Sequence, residues 1–162
     1  MLNLKIKTIM ALTFFAGHSL ALESDRNAKI ILEGPGCAHK GKVNQTECKK
    51  GVTIQQGSML IKSTYGLIYH GDKGINNVLL KGDQVYMEQM MDDNSKMVIN
   101  ANEINYHKKD EKVLLKGNVV ITSNIGVTKG EEIEFDLQTQ EIKAIGEESA
   151  QQFRMEIEPD ND

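Results

Sequence analysis

Alternation of apolar and polar residues with a period of two, returning in copies, is what most limits how this chain folds. Val113 to Phe135 (VLLKGNVVITSNIGVTKGEEIEF) reads as strand, glycine turn, strand, short turn and strand. Earlier parts of the chain repeat it. Val78-Leu79-Leu80-Lys81-Gly82-Asp83 is nearly copied at Val113-Leu114-Leu115-Lys116-Gly117-Asn118, and a looser copy begins at Lys50-Gly51-Val52-Thr53-Ile54. The aligned glycines, Gly51, Gly82 and Gly117, recur at roughly 31 to 35 residues, within the range of repeat architectures. Apolar side chains take alternate places at Val52 and Ile54, Met59 and Ile61, Val85 and Met87, and Met97 and Ile99. The pattern continues at Ile104 and Tyr106, Val119 and Ile121, and Ile133 and Phe135. Such alternation gives each strand one buried and one wet face. Turn-forming clusters fall at His70–Gly74, Asp92–Ser95, His107–Lys112 and Gln138–Glu141. Turns spaced about 8 to 12 residues apart indicate an all-β sheet, jelly roll or solenoid.

The chain has 162 residues, room for one domain. Its 19 Lys and Arg are interspersed with 23 Asp and Glu, for a formal charge of −4. That excludes the basic face by which a nucleic-acid binder releases counterions. Aromatic residues make up only 5% and Trp is absent, so the core has to be aliphatic. Lys5 and Lys7, the apolar run Thr8–Leu20 and the small residues Ser19 and Ala21 read as a signal peptide over residues 1–21, with a retained anchor as the alternative. The run is shorter than the about 20 apolar residues of a membrane span. Leu22–Lys29 is polar and reads as a flexible leader, and Ile30–Leu32 as a short strand stopped by Gly34-Pro35-Gly36. The β-domain covers residues 22–146. An acidic tail, 147–162, follows; Phe153, Met155 and Ile157 alternate as in one last strand, and from Pro159 the tail is expected to be disordered.

Few residues suggest chemistry. Cys37 and Cys48 stand in what reads as the most irregular stretch, Cys37–Lys50. In an exported chain a disulfide is the favoured reading. A metal site with His39 lacks an evident fourth ligand and a zinc-module spacing, and two free thiols are the remaining alternative. Gly36–Lys42 matches most of a phosphate-binding loop, but Val43 replaces the hydroxyl that would meet Mg²⁺ and no helix pattern follows. Asn44-Gln45-Thr46 is a glycosylation sequon. His39, His70 and His107 read as separate, solvated turn residues, and Asp92-Asp93 and Glu131-Glu132 as turn and strand-end charges. No catalytic or metal-binding constellation emerges, and the chain reads as a non-enzyme without a cofactor.

Gly117–Thr122 (GNVVIT) followed by Lys129–Asp136 (KGEEIEFD), Gly51–Gly57 (GVTIQQG) followed by Met59–Ser63, and Ile99–Tyr106 (INANEINY) resemble the OstA-like β-domain of the LptA/OstA-like lipopolysaccharide-transport family. The resemblance covers roughly Lys50 to Gly146; before Lys50 the segment GPGCAHKGKVNQTEC departs from the family's strand pair. It implies an open, twisted β-jelly roll of repeated antiparallel strand pairs, working in the periplasm as a bridge that carries lipopolysaccharide from an inner-membrane transporter to the outer membrane. The implied partners are the lipid A acyl chains, an inner-membrane transporter subunit and an outer-membrane translocon joined by edge-strand pairing, with a head-to-tail homo-oligomer possible in principle. The residues expected to line its apolar groove are Val52, Ile54, Ile61, Val85, Met87, Ile99, Ile104, Tyr106, Val119, Ile121, Ile133 and Phe135. The same face also serves as an ordinary core, and the sequence leaves both roles open for each residue. A membrane-anchored docking subunit, a β-repeat without cargo and a hydrolase using His70 or His107 are the rival readings.

Overall fold

The computed structural model describes residues 25, 27–72, 74–146 and 152–157. The expected signal peptide and the last five residues of the tail lie outside them. Twelve strands follow in order: β1 (Ile30–Glu33), β2 (Cys37–Lys40), β3 (Gln45–Cys48), β4 (Val52–Gln56), β5 (Met59–Ser63), β6 (Tyr65–Gly71), β7 (Gly74–Met90), β8 (Lys96–His107), β9 (Lys112–Ser123), β10 (Gly126–Asp136), β11 (Ile142–Ala144) and β12 (Arg154–Glu156). Every pairing is antiparallel. The expected turns fall between strands, at the β6–β7, β7–β8, β8–β9 and β10–β11 connections.

The architecture follows from what the four long strands do. One edge of β7 pairs with β6 through Tyr65–Gly71 opposite Gly74–Lys81, and with β5 through Tyr86–Glu88. One edge serves two neighbours that diverge, because the strand bends between them. The register of β7 on β8 shifts between Lys81 and Val85, that of β8 on β9 between Asn100 and Glu103, and that of β10 on β9 between Gly130 and Glu132. These irregularities line up as one corner row across β7–β10. Bulges bend strands and sharpen their twist. At the corner Gly117 has φ +76° and Asn118 φ 48°, the left-handed region that glycine and asparagine enter most readily.

Two walls result. The first runs β2–β3–β6, then through the Gly74–Lys81 part of β7, the end of β8, the start of β9 and the end of β10, to β11. The second runs β1–β4–β5, then through the other halves of the same long strands, to β12. Together they make an open antiparallel β-jelly roll. Their inward positions form one aliphatic core that includes Ile68, Leu80, Val85, Ile99, Leu115, Ile121 and Ile133.

Three local expectations are corrected. Gly82 and Gly117 do not separate strands; they sit inside β7 and β9, because the glycine makes a bend rather than a reversal. Cys37–Lys50 is mostly regular: β2 and β3 form a hairpin closed by one 3-10 turn at Gly41–Val43. The leader is anchored at Asp25, which is buried and accepts a hydrogen bond from Ser58 Oγ, while Gln56 Nε2 donates to the Ala28 carbonyl (3.3 Å).

Candidate functional site

The faces of the two walls meet in an apolar cleft. Its lining comes from both: Ile54, Met59, Ile61 and Met87 on the second wall, and Ile75, Val78, Leu80, Ile104, Tyr106 and Val113 on the first. Ile30, Gln56, Lys108 and Leu137 complete its mouth. The repeat explains the arrangement, since bent strands bring the alternating residues before and after the corner face to face. At Gly66 the two walls approach closely. A Cβ there would lie 2.7 Å from Val52 Cγ1 and 3.3 Å from Leu80 Cδ2, so only glycine lets β6 approach β4 this far.

Of the twelve residues expected on the groove face, eleven are buried and Tyr106 is half-buried. The structure divides them. Ile54, Ile61, Met87, Ile104 and Tyr106 line the cleft. Val52, Val85, Ile99, Ile121 and Ile133 pack in the core around it, Val119 borders a shallow outer depression beside β12, and Phe135 borders a second opening with Met91, Met97, Ile125 and Ile142. Ile75, Val78, Leu80, Val113 and Leu137 were not expected. Val78, Leu80 and Val113 belong to the repeated VLLK segment, so their alternation was a usable signal; the expected set takes only the residues after each glycine.

The cleft is nearly closed, with a cavity of about 40 Å³. On this measure a water needs about 10–15 Å³, so the cleft is narrow, with room for a few waters. The outer surface is polar and ordered by paired charges. Beside the corner, Lys81 lies 3.0 Å from Glu103 and Lys116 2.9 Å from Glu132, with Glu103 and Lys116 opposite each other in register. Lys112 meets Glu134 at 2.6 Å, and that hydrogen bond, more than the charge itself, raises the Lys112 pKa. Lys40 does the same with Glu47 at 2.8 Å: the shared hydrogen bond raises the lysine and lowers the carboxylate. Tyr86 donates to Glu88, which lowers the Glu88 pKa, with Lys96 contributing next. None of these groups faces the cleft, and the charge they carry keeps the outside wet.

Cys37 and Cys48 form a disulfide directly across the β2–β3 hairpin. Further along this hairpin, His39 and His70 are brought together, contrary to the expectation of separate turn residues. Their ring centroids lie 5.3 Å apart at 74°, with the Thr46 hydroxyl between them. His107 stands elsewhere, its Nδ1 3.0 Å from Asn77 Nδ2. Among the described residues no three His, Cys, Asp or Glu side chains gather as a metal-binding group.

Residues 38–141, well over half of the chain, match the family described as LptA/(LptD N-terminal domain) LPS transport protein. The chain belongs to this family. The two-walled roll is shared with a solved structure: the crystal structure of LptH, the LptA-homologous periplasmic component of the lipopolysaccharide transport device of Pseudomonas aeruginosa, superposes with a TM-score of 0.76. That match covers 84% of this chain and 99% of LptH at 21% identity, and it establishes the fold. No curated protein sequence matches the chain. The family match begins at residue 38, so it takes in the stapled hairpin that the sequence reading placed outside the resemblance.

Proposed function

We propose that this LPS transport protein is a non-enzymatic periplasmic bridge that shelters the acyl chains of lipopolysaccharide between its two walls on their way from the inner to the outer membrane. The observation that carries the reading is a cleft lined almost entirely by aliphatic side chains from both walls. A chain of about 12 methylenes costs on the order of 10 kcal/mol to expose to water, at about 0.8 kcal/mol per CH₂. A carrier therefore needs a continuous dry face, and Met59 and Met87 supply unbranched side chains that refit around different chains. The walls part to widen the narrow cleft for cargo. Transport energy comes from a partner. Partners join at the sides of the roll, the inner-membrane transporter subunit at one and the outer-membrane translocon or a further copy at the other, by adding strands to the outermost β1, β2, β11 and β12.

Photocrosslinking tests the reading. With a probe placed in turn at Tyr106, Met87 and Thr122, lipopolysaccharide should label the first two, which line the cleft, and spare Thr122, which points outward from β9. Equal labelling at all three, or none at the cleft positions, would remove the groove assignment.

A further inference from the structure

The inner face of the first wall changes character at its β2–β3–β6 corner. Moving outward along it, buried Cys48 and Ile68 give way to Thr46, His39 and His70. His39 Nδ1 lies 3.1 Å and His70 Nε2 2.7 Å from the same atom, Thr46 Oγ1. A hydroxyl has one proton to donate. It satisfies one imidazole nitrogen, so the other ring must donate its own N–H to the oxygen. One nitrogen facing this point is therefore already a bare lone pair. A change of tautomer, which moves a proton to the far side of the ring without altering charge, supplies the second.

The surroundings hold both rings in place. His70 is tied to the hairpin turn twice, its N–H donating to the Asn44 carbonyl (2.9 Å) and its carbonyl accepting from Asn44 Nδ2 (3.1 Å). The disulfide fixes the other end of the hairpin. Lys40 and Glu47, the charged neighbours, face the opposite side and engage each other at 2.8 Å. Among the described residues neither ring is hydrogen-bonded to an ammonium or to a carboxylate. Converging neutral imidazoles select zinc, copper or nickel, whereas calcium and magnesium want oxygen ligands.

We propose that His39 and His70, converging on the Thr46 hydroxyl, bind one late first-row divalent cation, Zn²⁺ or Cu²⁺, which clamps the β2–β3 hairpin onto β6. Solvent completes the coordination, because His39 is exposed. The site is independent of the cleft and of lipid carriage.

Calorimetric titration of the chelator-stripped protein with ZnCl₂ near neutral pH tests this. One site per chain is expected. His39→Gln and His70→Ala should each weaken it by at least the about 10-fold that losing even an outer-shell partner costs at a metal site. His107→Ala should leave it unchanged, and zinc should raise the Tm of the wild type but not of His39→Gln. His39 is exposed, so its variant retains the fold and a loss of binding reports the ligand itself. Wild-type protein that takes up no zinc, or affinity that survives either substitution or falls equally in His107→Ala, would overturn the site.

Discussion

β7–β10 and the short strands beside them are stabilised by different means. The long strands bury almost every inward residue: Leu80, Val85, Ile99, Ile104, Leu115, Val119 and Ile133 are each at most 1% exposed. The flanks vary. β12 is exposed along its whole length and is held by three backbone pairs and the Lys129–Glu156 ion pair. β1 leaves Ile31 half exposed. The β2–β3 hairpin also buries little, yet it carries a covalent cross-link and the polar contacts around Thr46. Burial thus runs through the strands that serve both walls and through β4, β5 and β6 beside them, which bury Val52, Ile54, Ile61 and Ile68, whereas the outermost strands rely on edges, charges or a disulfide. Regions with few buried apolar contacts open locally at low cost, so the flanks should fray well before the centre.

The largest contrast should come from Leu115→Ala in β9 set against Met155→Ala in β12. The first is expected to cost about 2–5 kcal/mol in denaturant unfolding, the second no more than about 0.5 kcal/mol, as for exposed sites in general. Similar costs would erase the distinction between centre and flank. Removing the disulfide with Cys37→Ala and Cys48→Ala together should cost about 2–3 kcal/mol by the chain-entropy model. Its effect should be local, with hydrogen exchange accelerated in β2 and β3 more than in β8 or β9. Gly117→Ala places a side chain at φ +76° with its Cβ 2.8 Å from Asn102 Nδ2, and should cost about 1–2 kcal/mol.

The smallest effect is that of pH. Glu47, Glu88, Asp93 and Asp136 have pKa values held below the ordinary carboxylate range, chiefly by hydrogen bonds from Lys40, Tyr86, Ser95 and the Thr139 backbone respectively. A depressed folded pKa contributes stability above the unfolded value of about 4, lost as pH falls through the folded value. Lys40 and Lys112 are raised by their hydrogen bonds to Glu47 and Glu134, so their contribution is present below about 10 and disappears as pH rises through the folded value. Thermal unfolding followed across pH should show a plateau between about 5 and 9.5 with a decline on either side. A maximum confined to acid pH would contradict it.

Much of the fold was legible in period two and turn chemistry. Val52, Ile54, Val85, Met87, Val119 and Ile121 read as buried because alternation on a strand leaves them one face, and they are. What alternation does not encode is which strand lies opposite. Ile75, Val78 and Val113 line the cleft only because β7 and β9 bend, and a glycine within VLLKG signals a bend and a turn in the same letters. His39 and His70 were missed for the same reason. They are far apart in sequence, and the pairing of Gln45–Cys48 with Gly66–Tyr69 is what joins them. The cysteines were the opposite case, since a chain with only two such residues has a single pairing to make.

The unbroken passage of four strands through the corner has a kinetic meaning. Sheets joined only by loops part with the freedom those loops leave, and reuniting them carries the entropy of closing the loops. Here the layers are halves of the same four strands of one chain, tethered four times over, so parting them is a change of one angle. Closure is unimolecular, its rate independent of dilution, and the surface exposed on opening has its own partner always within reach.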